Sequence, residues 1–146
     1  MIEVSGVSAC YISADTGGDI CDLTNSQYAL NGVSCSFSPG EVVSLAGLNG
    51  SGKSTLSRLL CAMRLADAGS VVVDGVDPAK SEHDRLAVRK AVGFVQQDPV
   101  DQIVSTLVFD EVAFGPRNLG LDEDDVCERV RSSLASVVLS TWLRLR

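Results

Sequence analysis

The chain has 146 residues, 45% of them hydrophobic, which suits one ordinary domain with an apolar core and excludes a disordered tract. Its formal net charge is −7 with only 12 Lys and Arg, so the basic face of a general nucleic-acid binder is missing, while a nucleotide site, which needs only local positive potential, stays open. The cysteines Cys10, Cys21, Cys35, Cys61 and Cys127 form no Cys-x-x-Cys pair and read as buried thiols of a reducing cytosol, and no apolar run approaches the roughly 20 residues of a membrane-spanning helix.

At the start of the chain Glu3 interrupts the first apolar residues with no basic segment before it, so no secretory signal is expected. Ile2, Val4 and Val7 predict an opening strand. Residues 15–25, rich in Gly, Asp, Thr and Ser, read as a loop or hairpin insertion. Val33, Cys35 and Phe37 alternate with Ser34 and Ser36, the pattern of a half-buried strand, and Ser38-Pro39-Gly40 makes a turn. Residues 41–46 carry Val42, Val43, Leu45 and Ala46, a short apolar run that predicts a buried strand. A Gly-rich loop leads from there into a helix with Leu56, Leu59, Leu60 and Met63 on one face. Residues 70–74 form another β run, ended by Gly75. Residues 81–91 look helical with Ser81 as N-cap, and 92–95 read as a further short strand. After a long mixed segment holding Pro99 and Pro116, residues 122–139 predict an amphipathic helix. Its acidic first turn complements the helix dipole, and Val126, Val130, Leu134 and Val138 fall on one stripe. Strands alternating with helices predict an α/β fold.

Gly47-Leu48-Asn49-Gly50-Ser51-Gly52-Lys53-Ser54 fits the pattern G-x-x-x-x-G-K-[ST]. A polyphosphate is wrapped by consecutive backbone N–H groups, and only Gly tolerates the dihedrals and close approach this requires. The loop then feeds a helix N-terminus, whose free N–H groups and dipole favour an anion. Lys53 should reach the outer phosphates and Ser54 should ligate Mg²⁺. A chance Gly-rich turn would match the fixed positions on the order of once in a few hundred such sequences, and it would not also be preceded by a strand-like run and followed by an amphipathic helix.

With Thr55 added, this string resembles the Walker A motif of ABC ATPases. Other segments agree in order. Ser34 to Glu41 resembles the strand and turn leading into that motif, and Gly69-Ser70-Val71-Val72-Val73-Asp74-Gly75 the strand after its helix. Val92-Gly93-Phe94-Val95-Gln96-Gln97-Asp98-Pro99 resembles the Q-loop. Asp110-Glu111-Val112-Ala113-Phe114-Gly115-Pro116 and Asn118-Leu119-Gly120-Leu121 look like the segment after the Q-loop in energy-coupling-factor and cobalt/nickel uptake ATPases. The resemblance implies a P-loop NTPase of the ABC ATPase type, α/β with an N-terminal antiparallel part and an incomplete C-terminal half: a partial ATPase domain over residues 1–139 and a tail unlike the family over 140–146. It further implies that Gly47, Leu48, Asn49, Gly50, Ser51, Gly52, Lys53, Ser54 and Thr55 hold ATP. Tyr11 would stack on adenine, with Tyr28 as a rival. Gln97 would be the Q-loop glutamine near Mg²⁺ and the γ-phosphate, preferred over Gln96 because it precedes Asp98-Pro99. The implied partners are a transmembrane permease near 97–120 and a second ATPase subunit, with the chain peripheral on the cytoplasmic face of the membrane.

Hydrolysis needs more than a phosphate loop. A Walker B aspartate and a neighbouring carboxylate are required. Leu107-Val108-Phe109-Asp110-Glu111 superficially fits, but it falls where the family has an acidic pair on a helical element. Val71-Val72-Val73-Asp74 is followed by Gly75 and lacks an acidic partner. The signature Leu-Ser-Gly-Gly-Gln is absent, since Leu139-Ser140 continues into Thr141-Trp142. The only histidine, His83, precedes the Q-loop and reads as an exposed helix residue. No catalytic residue is therefore assigned. The resemblance stops where the signature should be approaching, which suggests a truncated or frame-shifted coding sequence; a natural short protein with its own C-terminal helix is the alternative. Losing the strands that complete such a sheet should leave Val42, Val43 and Leu45 without neighbours and open an edge.

Overall fold

The computed structural model describes residues 1–11, 28–98 and 100–137. They fall into two units, Met1–Phe94 and Val95–Arg146. The insertion predicted over 15–25, Cys21, Val138 and the tail over 140–146 lie outside the described residues.

In the first unit β1 (Ile2–Cys10) runs between β2 (Tyr28–Phe37) and β3 (Ala68–Val73) in a three-stranded sheet. Both pairings are antiparallel. Ile2 sits opposite Phe37 and Val73, and Val4 opposite Cys35 and Val71. Alternate β-branched side chains suit such a pleated, half-buried surface. Val4, Val7 and Ala9 are buried with Leu30, Val71 and Val73 under Leu56 and Leu59 of α1 (Lys53–Leu60) and Val88 of α2 (Glu82–Ala91). Each such Val or Leu contributes roughly 1.5–3 kcal/mol on burial. The predicted alternation in β2 is present: Val33, Cys35 and Phe37 are half-buried, and Ser34 and Ser36 exposed. Ser81 caps α2, its Oγ accepting from the Asp84 N–H at 3.0 Å. His83 is exposed on that helix, as expected.

Three expectations are corrected. Residues 41–46 form no strand: Val42 is 96% exposed, Val43 49% and Leu45 51%. The run is apolar enough for a buried strand, but among the described residues no strand lies alongside to take its hydrogen bonds. Residues 92–95 likewise form no strand; Val92 packs against the core and Val95 stands exposed. Met63 does not continue the apolar face of α1, because the helix ends at Leu60 and Ala62 turns left-handed (φ 53°), leaving Met63 half exposed.

The segment after α1 is tied at several points. The Met63 and Arg64 N–H groups donate to the Arg58 carbonyl at 2.9 and 3.2 Å, and Arg89 Nε donates to the Ala62 carbonyl at 3.1 Å. At its far end the Asp67 N–H donates to the Ser8 carbonyl at 3.0 Å. Cys10 and Cys61 are buried, and Cys35 half-buried.

In the second unit α3 (Val108–Asn118) and α4 (Glu123–Ser136) pack through Ala113, Val126, Val130 and Leu134, with Phe109, Val112 and Leu121 at the margin. The predicted stripe is thus the buried one. Asp122 caps α4 by accepting from the Asp125 N–H at 2.9 Å. Arg117 joins the helices, donating to Glu123 at 2.9 and 3.1 Å and to Asp110 at 3.1 Å. These bonds to Arg117 hold the exposed Glu123 carboxyl below its ordinary range. Glu111 accepts from the Val104 and Ser105 N–H groups at 2.9 and 2.7 Å, closing the loop before α3. Asp110 and Glu111 therefore lie on a helix, as the resemblance implies, and 107–111 is not a Walker B strand.

Candidate phosphate-loop site

The loop over 47–52 closes by a turn, with the Ser51 N–H donating to the Leu48 carbonyl at 3.2 Å. Its glycines are required by shape. Gly52, the N-cap of α1, has φ 87°, and a Cβ there would run into the Ala29 carbonyl oxygen and the Leu30 side chain. A Cβ on Gly47 would lie 2.7 Å from Ser51 Oγ. At Gly52 the backbone thus packs where a side chain does not fit, and Gly50 shares its left-handed conformation (φ 80°), the form a main-chain anion cradle takes.

The helix start behind the loop supplies the other half of the cradle. The first backbone bond of α1 runs from the Leu56 N–H to the Gly52 carbonyl, so the N–H groups of Lys53, Ser54 and Thr55 have no partner within the helix. No side chain caps this end and no acidic residue occupies its first turn. By contrast, α2 and α4 each begin with a capping side chain and acidic residues. The start of α1 keeps its partial positive charge for an external anion.

Lys53 folds back over the loop. Its Nζ donates to the Gly47 and Leu48 carbonyls at 2.8 and 2.7 Å and lies 3.4 Å from Ser51 Oγ. One ammonium charge is thereby held against the loop. Leu48, Asn49, Gly50, Ser51 and Ser54 are exposed. The Ser54 hydroxyl is thus accessible to a divalent ion, and the donor set of amides, one ammonium and one hydroxyl fits a magnesium–polyphosphate group.

Thr55 is 5% exposed, and its Oγ1 lies 3.3 Å from the Tyr11 hydroxyl. Tyr11 directly follows β1 and is 47% exposed, so the fold brings an accessible ring onto the first turn of α1. The bond to Thr55, helped by Arg64 and Arg58 and opposed by burial, holds the Tyr11 hydroxyl pKa below its ordinary value. Tyr28 pairs with Cys10 across the sheet and is 38% exposed. Gln97 belongs to the second unit and is exposed there.

Sequence reasoning missed Arg64 and Asp67. The Arg64 guanidinium carbon lies 4.3 Å from the Tyr11 ring centroid, and its Nη2 donates to the Cys10 carbonyl and to Asp67 at 3.2 Å. Asp67 accepts from the Cys10 N–H at 2.8 Å. Partial burial works against the Asp67 charge, yet the Cys10 N–H, the Cys10 thiol and Arg64 together hold its carboxyl below the ordinary value. The one sequence signal was an opposite-charge pair three residues apart; nothing in it pointed to Tyr11.

A model of the ABC transporter family matches residues 30–142. The energy-coupling factor transporter ATP-binding protein EcfA1 of Symbiobacterium thermophilum is 40% identical over 139 residues, covering 95% of this chain and 47% of that protein. The structure of CbiO1 from Clostridium perfringens, described as part of the ABC transporter complex CbiONQ, superposes with a TM-score of 0.70 at 29% identity, covering 92% of this chain and 49% of that one. A dimeric ATP-binding cassette bound to ADP and Pi superposes with a TM-score of 0.73 over 92% of this chain and 56% of that one; at 22% identity it speaks for the fold alone. The chain spans less than half the length of the curated relatives it matches.

Proposed function

Because the chain belongs to the ABC transporter ATP-binding family, we propose that it is the phosphate-loop part of an ATP-binding subunit of an energy-coupling-factor or cobalt/nickel-type importer, peripheral to the cytoplasmic face of the membrane. The observation that carries the ATP part is the α1 N-terminus, uncapped and free of acid, behind a loop whose Gly50 and Gly52 are left-handed, with Lys53 bonded to the Gly47 and Leu48 carbonyls. Loop amides and the N–H groups of residues 53–55 bind phosphate oxygens. Lys53 would neutralise the outer phosphates, and the exposed Ser54 hydroxyl would be this chain's ligand for Mg²⁺. Bound Mg²⁺ supplies charge neutralisation between the outer phosphates. Tyr11 stacks on the adenine, a reading supported by its link to Thr55 and its exposure.

The partners in this reading are a transmembrane permease and a second ATPase subunit. Val100, Ile103, Val104, Leu107 and Phe114 are at least 48% exposed within the second unit, an apolar surface of the kind that marks a docking site. In a pair of ATPase subunits, the signature of an intact homologue would cover the ATP held here. Among the described residues no helix is long and apolar enough to cross a membrane, so the membrane would be reached through the permease.

A second reading, a nucleotide-binding fragment without turnover, is favoured by one observation: residues 41–46, which precede the loop, are exposed and join no strand among the described residues. Calorimetry with Mg·ATP on the chain fused to a solubility partner tests the binding, and phosphate release tests the turnover. Lys53→Ala should weaken ATP binding at least about tenfold, in line with a charge-assisted contact of roughly 1.5–3 kcal/mol. Unchanged affinity in that variant would overturn the site. Binding with no Lys53-dependent phosphate release would favour the fragment.

A further inference from the structure

We infer that Arg64 is a positioning residue for the base platform: anchored by Asp67 and the Cys10 carbonyl, it backs one face of the Tyr11 ring and leaves the other face for the adenine. The inference rests on the reading of Tyr11 above and adds to it a residue that sets the ring's orientation.

The geometry is over-determined. A tyrosine at the end of a strand has two free torsions, and an unconstrained ring would lose rotamer entropy on stacking. Here both ends of the side chain are held. The hydroxyl lies 3.3 Å from Thr55 Oγ1 on the first turn of α1. The ring face carries the Arg64 guanidinium at 4.3 Å, within the range of a cation–π contact. Arg64 is in turn fixed by the Cys10 carbonyl and Asp67, and Asp67 also accepts from the Cys10 N–H, one residue before Tyr11. The Arg64 side chain is only 23% exposed, as expected of a group packed between ring and backbone, whereas Tyr11 keeps 47% of its surface accessible. One face is occupied and the residue remains accessible, so a base stacks opposite the arginine. The planar guanidinium fork suits this arrangement, because it can stack on a ring while its N–H groups donate sideways.

The test is binding of Mg·ATP and of inorganic tripolyphosphate to the full chain in its fused form, for Tyr11→Ala, Arg64→Ala, the double variant, Arg64→Lys and Asp67→Asn. Tyr11→Ala should weaken ATP about tenfold, the scale of one base–aromatic stack. Arg64→Ala should weaken ATP about threefold, on the scale of an exposed cation–π contact, and leave tripolyphosphate affinity unchanged. Arg64→Lys should recover part of the loss, and Asp67→Asn should reproduce part of it. The double variant should be no weaker than Tyr11→Ala alone, since the arginine acts only through the ring. Additive losses, or a loss of tripolyphosphate binding in Arg64→Ala, would overturn the inference. So would ATP binding unaffected by Arg64→Ala while Tyr11→Ala is weak, an outcome that leaves the Tyr11 reading standing. If Tyr11→Ala itself binds ATP normally, both readings fail together.

Discussion

Val71, Val72 and Val73 lie in β3 beside β1, with Val71 and Val73 buried; Val42, Val43 and Leu45, an equally apolar run in the same unit, join no ladder among the described residues and stand exposed. Composition does not separate the two runs. The difference lies in the presence of a partner. β3 returns antiparallel onto a strand that shares its unit, and its backbone groups on that side are satisfied there. Residues 41–46 have the same β-branched character but no strand beside them among the described residues; Glu41 is tied back to Ser38 in the preceding turn, and the run then leads into the phosphate loop. Strand propensity is a property of a pair of segments, and reading one segment alone overstates it.

The sharpest way to break this contrast is to place the same charge in both runs. Val71→Asp buries an unpaired carboxylate and should lower stability by on the order of 4 kcal/mol, read as a collapse of the urea midpoint. Val42→Asp should change stability by less than about 0.5 kcal/mol and reduce light scattering from the unfused chain, which exposes enough apolar surface to aggregate. Equal costs would mean that 41–46 is paired in solution. The next effect concerns the anchored end of the exposed run. Gly52→Ala should cost about 2 kcal/mol or more, because its backbone is left-handed and a Cβ meets the Ala29 carbonyl, whereas Gly93→Ala enters open space and should be nearly neutral by the same denaturation assay. Smallest is a pH effect at the well-paired end of the sheet. The Asp67 carboxyl is held below its ordinary value of 3.8, so its contribution is present above that pH and is lost as pH falls through the lower folded value. The gap in urea midpoint between the native chain and Asp67→Asn should be widest near neutrality and shrink below about pH 3.8. A gap that widened on acidification would contradict the sign.

Much of this molecule was legible because its cues are local. Ser81 and Asp122 cap helices within three residues of their own backbone, the stripe through Val126, Val130 and Leu134 repeats with the helical turn, and the phosphate loop is written in consecutive residues. The failures are all non-local. The fate of 41–46 depends on which strands lie beside it, and the end of α1 depends on a left-handed Ala62 that no propensity favours. Arg64 and Asp67 became visible only when a sheet end 54 and 57 residues away in sequence was brought alongside.

The tethered segment between α1 and β3 carries an evolutionary consequence. Its carbonyls and amides are fastened to Arg58, Arg89 and Ser8, and its side chains to Cys10 and Tyr11, so its register is spoken for from end to end. Met63, half exposed, is free to drift in identity. An inserted or deleted residue anywhere between Cys61 and Asp67 would shift the guanidinium off the ring, and natural variation at this stretch is therefore expected to substitute letters while conserving their number.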